Sequence, residues 1–193
     1  MTTVPTAVIP PGLRRRVRFA WMALFVCGFV ALAWVSFVPP LPRVIYNPTD
    51  SEPVGWYGVD PFNWLANPRR RAPHLGSIVL AHLPARAALL AARRDYLPLT
   101  VPLLKRVGAV APQRVCIVGR SVRIDGVPVA TVLATDHLGR PLPSWRQCRQ
   151  LRPGELFLLS ATNPASFDSR YFGPVAASAV IGVAHPLWLE DRP

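Results

Sequence analysis

The hydrophobic pattern separates one long apolar run near the N-terminus from a series of short apolar runs after it. The long run, Phe19–Val38, contains no charged residue. As a helix of about 20 residues it would extend roughly 30 Å, which matches the hydrocarbon core of a bilayer. Four arginines lie at positions 14–18, and prolines follow at 39 and 40. The pattern predicts a transmembrane anchor over residues 17–38, with residues 1–16 in the cytoplasm and residues 39–193 exported.

A cleaved signal peptide is the competing interpretation of the same run. Such a peptide has an apolar core of about 7–15 residues, followed by a cleavage site with small residues. Here the run is longer and ends in Phe37-Val38-Pro39-Pro40. This ending favours an anchor that stays attached to the rest of the chain.

Short apolar runs bounded by glycine or proline continue through the exported part, as is typical of β-strands. Asp125-Gly126 separates two of them and is a strong signal for a two-residue hairpin turn. One helix is predicted over Ala85–Arg94, just after Pro84. The predicted strands are Ser77–Leu83, Leu103–Val110, Arg114–Val118, Ser121–Ile124, Val127–Val132, Leu156–Ser160 and Ser178–Val183. The predicted fold class is therefore mainly β: a single N-terminal transmembrane helix, then a compact all-β domain with one short helix.

Two classes of ligand site are absent from the sequence. It has no βαβ alternation and no glycine-rich phosphate loop, which argues against a parallel nucleotide-binding sheet. Its histidines are scattered, without the spacing of a zinc site. They are His74, His82, His137 and His185. We therefore expect neither a metal nor a cofactor.

The charge indicates an anionic partner. The formal net charge is +12, which suits either nucleic acid or the headgroups of anionic lipid. With an anchor predicted, we expect contact with inner-membrane lipid and no nucleic acid. A DNA-contacting transfer protein is the alternative, and it would show binding that depends steeply on salt.

Export changes how the three cysteines are interpreted. Cys27 lies inside the predicted anchor, where it is a small apolar residue. Cys116 and Cys148 lie in the exported part, where disulfides persist. A bridge between them would stabilise the fold by about 3–4 kcal/mol in the chain-entropy model. Two unpaired thiols are the alternative.

Lys105 is the only lysine among 22 lysine and arginine residues. A guanidinium stays protonated in proteins, whereas an ammonium beside apolar groups can lose its proton and act as a base. Lys105 is therefore a candidate general base. The alternative is that one lysine remains by chance in an arginine-biased chain.

Ser51 lies in a stretch rich in turn-forming residues, Asn47–Tyr57, that begins soon after the predicted anchor. Pro53 and Gly55 follow Ser51 at alternate positions and would hold an irregular backbone in which a hydroxyl and nearby N–H groups are fixed. The same composition is also that of an ordinary polar loop.

Three motifs, in order along the chain, resemble the signal peptidase I family of membrane-anchored serine proteases, and most closely its TraF-type branch of conjugative transfer peptidases. The motifs are Ser51-x-Pro53-x-Gly55-x-Tyr57; Leu103-Leu104-Lys105-Arg106-Val107 followed by Ala111–Val115; and Ser166-Phe-Asp168-Ser-Arg170-Tyr-Phe-Gly-Pro174. A weaker fourth match is Gly76–Val79. The last motif departs from the family, since Ser160-Ala-Thr-Asn163-Pro stands where many members have Gly-Asp-Asn.

The resemblance implies a serine–lysine dyad, in which Ser51 is the nucleophile and neutral Lys105 the general base. It also implies that the Ser51 N–H and the Thr49 hydroxyl donate to the oxyanion. Ser166 would orient the lysine amine. The remaining two implied residues, Asp168 and Arg170, would form an ion pair that braces the site, unless they are an ordinary surface pair.

The implied substrate is an exported precursor, most closely the pilin precursor of a conjugation apparatus, bound as an extended strand. The acyl-enzyme could be resolved by water or by the substrate's own amine, which would give a cyclic product. The resemblance further implies a single-pass protein of the bacterial inner membrane, with its catalytic domain in the periplasm beside other conjugation components. A non-enzymatic, membrane-anchored structural subunit of such an apparatus is the alternative.

Overall fold

The computed structural model describes residues 19–30, 43–61 and 73–190. The chain divides into two compact units, Met1–Leu41 and Pro42–Pro193. In the first unit, residues 19–30 are helical (α1). No helix within the described residues is long and apolar enough to cross a membrane. Much of the predicted anchor, and all of the Phe37–Pro40 sequence, lies outside the described residues, so the anchor stays a prediction.

The second unit is mainly β, as the sequence predicts. Its larger sheet has seven strands in the order β1-β2-β11-β3-β4-β9-β10, and all neighbours are antiparallel. These strands are β1 Arg43–Asn47, β2 Gly55–Pro61, β3 Ile78–Ala81, β4 Leu103–Val110, β9 Glu155–Leu159, β10 Val175–Ala176 and β11 Val180–Leu189.

A smaller antiparallel sheet of four strands has the order β7-β6-β5-β8. Its strands are β5 Arg114–Val118, β6 Ser121–Ile124, β7 Val127–Thr131 and β8 Cys148–Gln150. The turn between β6 and β7 holds Asp125 at φ 50° and Gly126 at φ 86°. Both residues have positive φ, as the predicted two-residue hairpin requires.

The two sheets share one buried apolar cluster. It joins Ala109 of β4 and Phe157 of β9 to Val115 and Val122 of the smaller sheet. Other clusters lie on the larger sheet alone; one includes Leu104 of β4. Strand β4 therefore contributes side chains to more than one apolar cluster, and it is the strand that carries Lys105.

The helices correct one prediction, because the sequence indicated a single short helix in this domain. The structure has α2 at Ala85–Arg93, close to the predicted bounds, and a second short helix, α3, at Ser169–Phe172. Asp168 caps α3 by accepting a hydrogen bond from the Arg170 N–H. A 3₁₀ turn at Ala177–Ala179 precedes β11.

The last strand also differs from its predicted bounds of Ser178–Val183. Strand β11 continues to Leu189 and passes through Pro186, where its register with β2 shifts. Proline is tolerated in a strand at such an irregularity because the ladder is already interrupted. Strands β1, β2, β8 and β10 were not predicted from the sequence.

Candidate active site

The turn that carries Ser51 connects β1 to β2 and is organised by Asn47. The Asn47 Nδ2 donates to the carbonyl oxygens of Thr49 at 2.8 Å, Glu52 at 3.0 Å and Pro53 at 3.2 Å. These bonds fold the turn around one buried amide. The Ser51 side chain is consequently held at a fixed point, with only 8% of its residue surface exposed.

Two further residues of the Ser51 motif fix the exit of this turn. The Tyr57 hydroxyl donates to the Pro53 carbonyl at 2.6 Å. Gly55 has φ 147°, and a Cβ there would lie 2.2 Å from the Trp188 carbonyl oxygen of β11. Only glycine allows the two strands to approach this closely. The spacing of proline, glycine and tyrosine after Ser51 thus has a structural reason.

Thr49 lies directly beside Ser51. Their hydroxyl oxygens are 3.0 Å apart, and the Thr49 hydroxyl donates to Asn47 Oδ1 at 2.9 Å. Because a hydroxyl has one proton to donate, Ser51 is then the donor between the two. The Ser51 N–H makes no hydrogen bond within the described residues, which leaves it available to a ligand.

Lys105 is nearly fully buried in β4, with 3% of its surface exposed. Burial lowers its pKa from 10.5 to about 8; the nearby Arg170 also lowers it, and the carboxylates of Asp168, Glu52 and Asp50 oppose the shift. Within the described residues, Lys105 Nζ forms no hydrogen bond with Ser51 or Ser166. A general base often closes on its nucleophile only when substrate is bound.

One groove brings the candidate residues together. Ser51, Thr49, Lys105 and Ser166 all line it, and its volume is about 830 Å³. Most of the remaining lining is apolar, from residues such as Leu103 and Phe167. The scattered histidines are not part of a cluster; of the four, His137 lines the groove and is exposed. No group of metal-ligating side chains occurs among the described residues.

Asp168 and Arg170 form a buried pair behind the groove rather than a surface pair. Their exposed fractions are 0% and 2%. The guanidinium donates from Nε and Nη2 to the two Asp168 oxygens, each at 2.8 Å. Its other bonds go to the carbonyls of Thr131, Pro164 and Ser166 at 3.0, 2.6 and 2.8 Å. Every guanidinium N–H therefore has an acceptor.

Ser166 connects this pair to the groove. Its carbonyl accepts from Arg170, while its side chain is buried and lines the groove beside the other candidate residues. The bond from Arg170 fixes the main chain at Ser166, which lines the same groove as Lys105. That the Ser166 hydroxyl orients the Lys105 amine stays a prediction.

Ser160 and Asn163 are contributors that the sequence did not identify as site residues. The Ser160 hydroxyl donates to the Ser51 carbonyl at 2.6 Å, and its N–H donates to Asp168 Oδ2 at 3.0 Å. Asn163 Nδ2 donates to Asp50 Oδ1 at 2.8 Å. These bonds join the buried ion pair to the Ser51 turn. The only sequence signal was that residues 160–163 depart from the family's usual Gly-Asp-Asn.

Cys116 and Cys148 lie opposite each other on β5 and β8, and their sulfur atoms are bonded. Neither lines the groove. The disulfide closes a loop with a sequence separation of 32 residues and links β8 to β5 within the smaller sheet. Cys27, in the first unit, is a free cysteine.

Comparison with known proteins gives one extended family match. The family model described as signal peptidase, peptidase S26 matches residues 16–188. The conjugal transfer protein TraF of Agrobacterium fabrum is 38% identical over 154 residues, which cover 75% of this chain and 82% of that protein. The probable conjugal transfer protein TraF of Sinorhizobium fredii is 33% identical over 174 residues, which cover 86% and 84%.

A crystal structure of a signal peptidase I from Enterococcus faecalis aligns with 58% of this chain and 97% of its own, at 20% identity and a TM-score of 0.35. At this TM-score and identity, the superposition carries no information about the site. The family match spans both the Ser51 turn and the Ser166–Pro174 motif, with Lys105 between them. This chain therefore belongs to the signal peptidase family S26.

Proposed function

We propose that this protein is a membrane-anchored serine endopeptidase that uses Ser51 and Lys105 to cleave an exported precursor. The observation that carries the proposal is the buried lysine in the groove that also contains Ser51. With a pKa of about 8, roughly a tenth of Lys105 is neutral at pH 7, against less than about a thousandth for an ordinary lysine. An arginine at this position would stay protonated and could not accept a proton.

The chemistry follows from the groups that line the groove. Ser51 Oγ attacks the scissile carbonyl while neutral Lys105 takes the hydroxyl proton, giving a tetrahedral oxyanion. The protonated lysine then gives its proton to the leaving amine, and an ester to Ser51 remains. The Ser51 N–H and the Thr49 hydroxyl donate to the oxyanion, each contributing about 2.7–4 kcal/mol by comparison with other hydrolases. For that role the Thr49 hydroxyl turns away from Asn47.

An extended substrate suits the open edge of β4. Leu103, Leu104 and Lys105 pair with β3 on one side, whereas β9 begins to pair with β4 only at Arg106. Within the described residues, the other side of Leu103–Lys105 is therefore free to bind a strand beside Ser51. Main-chain bonds to this edge would supply affinity, and the apolar groove would accept side chains of the substrate.

The substrate we propose is the pilin precursor of a conjugative transfer system. Two relatives are described as conjugal transfer proteins, and their matched regions cover most of this chain. The predicted anchor would hold the catalytic domain at the periplasmic face of the inner membrane, near other components of the apparatus. Water would resolve the acyl-enzyme to a linear product, while attack by the substrate's own N-terminal amine would give a cyclic one.

The test is the intact mass of the candidate pilin in cells that carry full-length wild type, Ser51→Ala or Lys105→Ala. We expect the processed mass only with wild type, and cyclisation would remove one water relative to the linear product. Ser178→Ala is the matched control because Ser178 is exposed and outside the groove. Normal processing by both Ser51→Ala and Lys105→Ala would refute the dyad and favour the structural-subunit alternative.

A further inference from the structure

An unassigned ion pair joins the two elements that carry the proposed dyad. Glu52 follows Ser51 in the β1–β2 turn, and Arg106 follows Lys105 in β4. Arg106 Nη2 donates to Glu52 Oε2 at 2.9 Å. The partners are 54 positions apart in sequence. Each lies next to one residue of the dyad.

The pair is held in place at both ends. The Glu52 carbonyl accepts from Asn47, the residue that organises the turn. Arg106 Nη1 donates to the Gly76 carbonyl at 3.1 Å, just before β3. Because neighbouring side chains of a strand point to opposite faces, Arg106 reaches Glu52 from the face opposite Lys105. The Ser51 turn is thus connected to β4 at the level of the lysine.

This pair is poorly constructed for stability alone. Glu52 is fully buried, and burial raises the pKa of its carboxyl. Glu52 Oε1 and Arg106 Nε are buried and have no hydrogen-bond partner. A buried charge pair with unpartnered atoms is often no more stable than an apolar pair of similar volume. A role in geometry explains its presence better than a gain in folding free energy.

We propose that the Glu52–Arg106 ion pair is a positioning device that holds the Ser51 turn at the correct distance from Lys105. The inference rests on the proposed function, because it concerns the alignment of the same two residues. Neither member of the pair lines the groove. Their effect acts through the Ser51 backbone on one side and the β4 backbone on the other.

Glu52 also contributes to the charge around Lys105. The charged groups that act on the lysine are Asp168 and Arg170, from the segment of α3, and Glu52 and Asp50, from the Ser51 turn. The Glu52 carboxylate raises the pKa of Lys105. Replacing Glu52 by glutamine should therefore lower that pKa and move the acidic limb of the rate profile to lower pH. That shift reports the loss of the Glu52 charge, whereas a lower kcat at the alkaline plateau, where Lys105 is already neutral, reports the loss of position.

The chain offers a direct measurement because Lys105 is its only lysine. Full-length protein in detergent micelles, labelled with ¹³Cε-lysine, gives one lysine signal whose pH titration reports the pKa of Lys105. For Glu52→Gln we expect that pKa to fall, and kcat for the precursor at the alkaline plateau to fall about tenfold to a hundredfold, with KM unchanged. Glu155→Gln is the matched control, since it removes the carboxylate charge of the Arg149–Glu155 pair, which lies outside the groove.

A second variant distinguishes an effect on the position of Ser51 from an effect on folding stability. The double substitution Glu52→Met with Arg106→Met removes both charges and keeps the volume, so it should retain the wild-type thermal midpoint and still show the reduced kcat. The inference is overturned if either variant has the wild-type kcat at the alkaline plateau. Failure of the proposed function looks different: wild type itself would process no more precursor than Ser51→Ala, whatever the lysine titration shows.

Discussion

Two carboxylate–arginine pairs lie beside the proposed dyad, and they are built in different ways. In Asp168–Arg170, both partners are buried and every guanidinium N–H has an acceptor. In Glu52–Arg106, one hydrogen bond joins the partners and each retains an unpartnered buried atom. The first pair fastens several segments together. The second pair connects two elements with little gain in stability. This is expected of an ion pair whose role is to position the Ser51 turn relative to β4.

The largest effect that this comparison predicts is on folding. Asp168→Ala leaves the Arg170 charge buried without a counter-ion, which should lower the free energy of unfolding by about 3–5 kcal/mol. Thermal and urea unfolding of the full-length protein in micelles would measure it. Glu155→Ala removes a partly exposed carboxylate of the Arg149 pair and should change stability by under about 1 kcal/mol. Equal losses in the two variants would contradict the bracing role of Asp168.

Replacing Lys105 should raise the free energy of unfolding, whereas replacing Asp168 lowers it. Its pKa is about 8 in the folded protein against an ordinary value of 10.5, so between these values the unfolded chain binds more protons and stability rises with pH. Below about pH 8 the buried ammonium therefore destabilises the fold. Lys105→Met should raise the free energy of unfolding at pH 7 by about 3 kcal/mol while abolishing processing. Unfolding curves at pH 7 and pH 10.5 test this, because the gain should disappear at the higher pH.

The smallest predicted effect on stability belongs to Glu52. Glutamine keeps the shape of the side chain but removes the charge that holds Arg106, and the Arg106 side chain, which is 36% exposed, can turn to water. Because the desolvation cost of the buried carboxylate offsets its attraction to Arg106, Glu52→Gln should change the free energy of unfolding by under about 1 kcal/mol, although it lowers kcat. The measurement is urea unfolding beside the kinetic assay. A stability loss as large as that of Asp168→Ala would remove the contrast between the two pairs.

Part of the fold is predictable because its signals are local. Strands β4, β5 and β6 begin and end at the predicted residues, and Asp125-Gly126 forms the expected hairpin turn. Strand β1 could not be predicted because its side chains are mostly exposed, so it lacks a clear apolar alternation. Strand β2 depends on pairing with β1 and β11, and β11 lies more than a hundred positions away.

The same difference between local signals and long-range contacts applies to the site residues. Ser51 and Lys105 could be identified from their motifs and from the single lysine in the chain. Glu52 could not, because Thr-Asp-Ser-Glu-Pro has the composition of an exposed polar turn. Its partner, Arg106, lies 54 positions away in sequence, so no local pattern signals the pair. Ser160 could not be identified from the sequence for the same reason, since its bond to Ser51 joins positions 109 apart.

The central claim is that a neutral lysine activates Ser51, and the most direct test is the pH dependence of precursor cleavage by full-length wild type and Lys105→Arg. The account predicts that the wild-type rate rises with pH through about 8, as the buried ammonium loses its proton. Lys105→Arg keeps a positive charge that does not dissociate, so it should be inactive at every pH. Wild-type cleavage that is flat across this range, or cleavage by Lys105→Arg at the wild-type rate, would contradict the account.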